Sequence, residues 1–114
     1  MYVQDVAQLV FNVFSAAGNL TLIAPQAKFW NVLLDATALG VANLSVSIQI
    51  FSPQGSLYLT PTQIGSPQVA NPISVAFGTV PPLIYIPGPI SQVRVSIPAF
   101  GTSTGNINAA IWAI

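Results

Sequence analysis

Hydrophobic and polar residues alternate most regularly at Leu44, Val46, Ile48 and Ile50, with Ser45, Ser47 and Gln49 between them. A period of two places alternate side chains on opposite faces of an extended chain, so this run predicts a half-buried strand. It ends at Ser52-Pro53-Gln54-Gly55, where proline suits the second position of a type I turn and glycine the fourth, and Leu57-Tyr58-Leu59 resumes the extended chain. A second alternation sets Val93, Val95 and Ile97 against Gln92, Arg94 and Ser96. After the loop Gly101-Thr102-Ser103-Thr104-Gly105, a third sets Ile107, Ala109, Ile111 and Ala113 against Asn108, Ala110 and Trp112. These last two runs predict a C-terminal hairpin. Shorter extended pieces are expected at Ile73, Val75 and Phe77 and from Leu83 to Ile86.

The first forty residues carry two patterns. Asp5 with Gln8 has capping-box spacing, and Gln8, Asn12 and Ser15 share a helical face before Gly18. Against a helix stand Val10, Phe11, Val13 and Phe14, which favour a pleated surface, so a strand is the expected state. From Phe29 to Leu34, the alternation of Trp30, Val32 and Leu34 likewise outweighs the helical spacing of Lys28, Asn31 and Asp35. The ten prolines fall mostly between the runs, where they punctuate strands and guard edges against pairing. Seven to nine short strands separated by Gly and Pro signals describe an all-β fold, a single antiparallel sandwich resembling a jelly roll, spanning residues 1–114 as one domain.

Charge narrows the picture more than length does. Only Asp5, Lys28, Asp35 and Arg94 are charged, 4% of 114 residues and a net charge of zero, where an ordinary soluble domain has about 25%. The exterior must then be Ser, Thr, Gln, Asn and apolar atoms, with little colloidal repulsion. Such a surface is expected to spend its life against other subunits. Although 53% of the residues are hydrophobic, no stretch of about 20 is uninterrupted, so no membrane span is expected. Tyr2 to Asp5 holds no positive side chain, so no secretory signal is expected either. The absence of cysteine fits a reducing compartment and excludes disulfides.

Candidate chemistry is sparse. Without His or Cys there is no transition-metal site and no Ser-His triad, and no cofactor is expected. The only carboxylates are Asp5 and Asp35, and neither sits where an acid-base pair is expected. The Gly101–Gly105 loop lacks the helix N-terminus and lysine that a phosphate cradle needs. Two isolated cations cannot supply a nucleic-acid footprint. Asn19-Leu20-Thr21 and Asn43-Leu44-Ser45 read as strand sequence, not glycosylation sites. The chain is expected not to be an enzyme. Its candidate interface residues are Trp112, which lies opposite the inward Ile107 and Ile111, together with Ile114, Arg94 and Trp30. Arg94 is also expected to form a salt bridge, with Asp35 as the available partner.

The run NLSVSIQ from Asn43 to Gln49, the Pro-Gln-Gly turn after it, and the closing stretch GPISQVRVSIPAFGTSTGNINAAIWAI from Gly88 to Ile114 resemble small virion proteins of bacteriophages. In that group a strand of alternating Ser/Thr and Val/Ile leads to a turn, and a Val-Arg-Val strand precedes a Gly-flanked hairpin. This chain lacks the Trp that the pattern places after the turn. The resemblance implies a head-associated role as a capsid decoration or cement subunit. Such a protein is a homo-oligomer, often a trimer, lies on the major capsid protein or other virion proteins, and is located in the virion. The alternatives are a carbohydrate- or receptor-binding sandwich stacking a sugar on Tyr58, Tyr85 or Trp30, and a subunit of a tail, pilus or other neutral surface assembly.

Overall fold

The computed structural model describes residues 8–81 and 83–114, and the Asp5 end of the capping box lies outside them. The described chain forms β1 (Gln8–Phe14), β2 (Gly18–Ile23), β3 (Phe29–Asp35), β4 (Leu39–Gly40), β5 (Leu44–Ser52), β6 (Leu57–Leu59) and β7 (Gln63–Ile64). It continues with β8 (Val69–Ala70), β9 (Ile73–Val75), β10 (Ile84–Pro87), β11 (Gln92–Ile97), β12 (Thr104–Gly105) and β13 (Ile107–Ala113). Both ambiguous N-terminal segments are strands, and the described residues contain no helix. In β1 the β-branched and aromatic Val10, Phe11, Val13 and Phe14, which fit a pleated surface, prevail over the helical face that Gln8, Asn12 and Ser15 share.

Two antiparallel sheets pack face to face. The first has the order β1-β13-β3-β10, and the second β2-β11-β5-β6, with β9 also pairing β5. Leaving out β4, β7, β8, β9 and β12, the eight remaining strands in chain order read 1-8-3-6 in the first sheet and 2-7-4-5 in the second. That is the order of a jelly roll, two Greek keys folded over one core. The inward residues of each alternation fill it. Trp30, Val32, Leu34, Ile107 and Ile111 of the first sheet meet Val46, Ile48, Val93 and Val95 of the second, all with almost no exposed surface.

The expected C-terminal hairpin is absent. β11 pairs β2 and β5 in the second sheet, whereas β13 lies between β1 and β3 in the first. Periodicity tells which side chains point inward but not which strand lies alongside. The connecting residues 98–106 are long enough to cross the roughly 10 Å between sheets. That crossing is anchored by β12 pairing β4, by Asn106 N donating to Ala38 O (3.1 Å) and by the Ser103 hydroxyl donating to Ala42 O. Gly105 is required there, since its φ is +81° and a Cβ would collide with Ala38 O.

The fifth strand position, beside β5, is split. β9 pairs β5 over Leu44 to Val46 and β6 pairs it over Ile50 to Ser52, which leaves Ile48 without a strand on that side. The buried side chain of Asn71 fills the gap. Its Oδ1 accepts from Ile48 N (3.0 Å), and its Nδ2 donates to Ile48 O (2.7 Å) and Pro61 O (2.7 Å). One carboxamide thus replaces a residue of backbone and lets residues 60–72 leave the sheet without orphaning buried polar groups.

Candidate assembly surface

The outer faces of the two sheets carry the side chains left over from the core. On the first sheet, register sets Leu9, Trp112, Asn31 and Tyr85 in one cross-strand row. Phe11, Ala110 and Leu33 form the next row, and Val13, Asn108 and Asp35 the one after. Leu9 is 64% exposed and Phe11 63%, while Trp112 and Leu33 are half-buried among their neighbours. Phe29 stacks on Tyr85 at 6.0 Å between ring centroids. A shallow depression of about 150 Å³ opens among Phe11, Leu33, Asp35, Asn108 and Ala110. With strands about 4.8 Å apart and rising about 3.3 Å per residue, four strands of up to seven residues make a face of about 450 Å². Within it Leu9, Phe11, Val13, Leu33 and Trp112 are the large apolar side chains, set beside the polar Asn31, Asn108 and Asp35.

The outer face of the second sheet is different in kind. Arg94 Nε donates to Gln49 Oε1 (2.7 Å), and its guanidinium lies 3.9 Å from the centroid of the Tyr58 ring. Tyr58 in turn donates its hydroxyl to Gln92 Oε1 (2.5 Å), and Gln49 Nε2 donates to Thr60 Oγ1 (3.0 Å). Phe51 packs edge-on against Tyr58 at 5.5 Å. The long polar side chains of this face, Arg94, Gln49, Tyr58 and Gln92, are engaged with one another, and Ile23 stands 58% exposed on the same face.

The residues singled out from sequence fall in different places. Trp112 lies on the outer apolar face, at the centre of a row, and Ile114 is exposed where β13 runs out, its backbone exchanging hydrogen bonds with Phe29. Trp30 is a correction. It has no exposed surface, its Nε1 donates to Ile90 O (3.0 Å), and it serves the core, not an interface or a sugar platform. Arg94 does not pair with Asp35 either. The two project from different sheets, so Arg94 takes Gln49 and Tyr58, while Asp35 accepts from the backbone N (3.0 Å) and hydroxyl (2.7 Å) of Thr37. Those two bonds hold the Asp35 carboxyl below its ordinary value. Of the proposed stacking residues, Tyr58 is covered on one ring face by Arg94, and Tyr85 is shared with Phe29.

Lys28 lines a groove of about 390 Å³ at one end of the sandwich with Pro25, Gln26, Ala27, Gly88 and Pro89, and no carboxylate or hydroxyl lines it. Among the described residues no cluster of metal-ligating side chains occurs. The outer face of the first sheet could not be delimited from sequence. Val10, Phe11, Val13 and Phe14 mark β1 as a strand, but which of its side chains point away from the core follows only from the register with β13.

No family model and no curated protein sequence matches the chain. Its fold is similar to that of the SPBc2 prophage-derived protein YomS, with a TM-score of 0.64 at 5% identity over 99% of this chain and 98% of that one. Weaker likenesses include a subunit of the Bacillus endospore appendages described as disulfide-linked pili, with a TM-score of 0.45 at 16% identity over 95% of this chain and 86% of that one. Thiamine pyrophosphokinase from Bacillus subtilis gives 0.46 at 11% identity over 93% of this chain and 37% of that one. The last two are too distant to say anything about function. At 5% identity the first establishes a shared all-β sandwich fold.

Proposed function

We propose that this protein is a non-enzymatic structural subunit of a phage particle that binds neighbouring shell proteins through the outer face of its first sheet. The observation that carries the reading is the apolar surface of β1, β13, β3 and β10, centred on Phe11, Leu33 and Trp112, on a chain with four charges. Covering that face removes apolar area from water at about 25 cal/mol per Å², and so few charges leave little to desolvate. The polar outer face of the second sheet suits the solvent side of such a subunit. The fold shared with a prophage-derived protein agrees with the reading, as does the resemblance of the strand pattern to phage decoration and cement proteins.

The test is the protein content of purified particles. Mass spectrometry of gradient-purified virions is expected to find this chain at a fixed ratio to the major capsid protein, retained through high-salt washing, because apolar contacts are not screened. Its presence only in the soluble fraction of the lysate as a dilute monomer would remove the reading.

A further inference from the structure

A sandwich of two open sheets has four edges, and two of them are blunted by proline or by breaks. The β10 edge is four residues long, ends in Pro87 and lies between Pro81 and Pro89. The far edge of the second sheet is broken into β6 and β9, interrupted by Pro53, Pro61 and Pro72. Prolines and short, broken edges are how sheets avoid pairing with other chains. The β2 edge, Gly18–Ile23, holds no proline or charge, but its outward row is Asn19, Thr21 and Ile23, of which only Ile23 is apolar.

β1 carries none of these guards. Over Gln8–Phe14 it has no proline and no charge, keeps register with β13 for seven residues without a bulge, and no described strand pairs with its other side. Val13 N donates to the Asn12 side chain (2.9 Å), not to β13. In an antiparallel ladder the N–H and C=O of one residue point to the same side, and the side alternates along the strand. Leu9, Phe11 and Val13 therefore turn their backbone groups outward, and these same residues carry their side chains on the outer apolar face.

We propose that β1 pairs antiparallel with β1 of a second copy about a two-fold axis at Phe11. Leu9 then faces the other copy's Val13, and Phe11 faces its own counterpart. The three outward residues of each strand exchange about six backbone hydrogen bonds, two of them made by Val13 N–H groups that give up Asn12 Oδ1 for the other copy's Leu9 carbonyl. The pairing is isologous, so it closes at two copies and does not propagate into a fibre. The strand is self-complementary in this register, with apolar residues facing apolar ones at each outward pair, and the pairing joins two four-stranded faces into one of eight strands. The dimer rests on the assembly reading above, and it supplies the unit that would dock.

Sedimentation equilibrium of the full chain at micromolar concentration, with hydrogen exchange read at single amides, tests it. A dimer is expected, with the amides of Leu9, Phe11 and Val13 protected. Val13→Pro removes an outward donor at a position where an edge strand tolerates proline, and is expected to weaken the dimer at least 10-fold while the monomer keeps its circular dichroism. Leu33→Ser with Trp112→Ser alters the centre of the face but not the edge, and is expected to leave the dimer intact. A monomer throughout, or a dimer that survives Val13→Pro with these amides exchanging freely, overturns the proposal. If the face variant alone dissolves the dimer, the copies meet face to face, which also overturns it but leaves the shell-subunit reading standing. A strand-paired dimer absent from particles would instead remove that reading and leave the pairing.

Discussion

The outer faces of the two sheets are built from the same alternating pattern and end in opposite states. On the second sheet Arg94, Gln49, Tyr58, Gln92 and Thr60 bind one another through hydrogen bonds and a cation–π contact, so the face is mainly polar, with Ile23 its exposed apolar residue. On the first sheet Leu9, Phe11, Leu33 and Trp112 meet one another side by side, with only Asn31, Asn108 and Asp35 as polar relief. The difference shows that a nearly uncharged chain does not have to be uniformly sticky. Its few long polar side chains are concentrated on one face, and the other is left to be covered.

The largest expected effect tests whether the second sheet is as self-sufficient as its surface suggests. Asn71→Ala would strip Ile48 N and O of their partners inside the protein, and is expected to cost about 3 kcal/mol in urea unfolding. A loss below about 1 kcal/mol would mean that water or a shifted β9 fills the gap. Arg94→Ala should cost less, about 1 kcal/mol, because it removes a half-exposed hydrogen bond and cation–π contact without leaving a buried charge. Thermal unfolding measures it, and a much larger loss would mean that this face supports the core.

The smallest effect concerns pH. Asp35 is the carboxylate of the first sheet's face, and its bonds from Thr37 lower its folded value below the ordinary 3.8. A depressed carboxylate stabilises the fold above the unfolded value, and the contribution is lost as pH falls through the folded one. Since Asp35 is solvent-screened, a slight decline in melting temperature is expected below pH 4, absent in Asp35→Ala. A steep acid transition would show that the protonated form breaks more than a turn.

Much of this architecture was legible in the sequence. The inward positions of β3, β5, β11 and β13 follow from period-two alternation, and Val10, Phe11, Val13 and Phe14 outweighed a helical spacing in β1. Pairing was not legible, because alternation is a local signal and a jelly roll joins strands far apart in the chain. Hence β11 and β13 read as a hairpin although they lie in different sheets. The same limit made Arg94 and Asp35 look like partners simply because they were available charges. Trp30 and Trp112 look equivalent as letters in alternating strands. Their opposite fates, core and outer face, depend on phase, which Ile107 and Ile111 revealed for Trp112 and which Val32 and Leu34 could have revealed for Trp30. Asn71 gave no sequence signal at all, since nothing local marks an amide that replaces a strand.

The most direct test of the account is retention on the particle, compared between the two faces. Particles washed and re-sedimented with the Leu33→Ser, Trp112→Ser protein are expected to retain it about 30-fold less tightly than wild type, the equivalent of about 2 kcal/mol from central aromatic and aliphatic anchors, with its melting temperature little changed. The Arg94→Ala protein should be retained like wild type. Retention unchanged by the first variant and lost in the second would contradict the account, because the polar face would then be the one that binds.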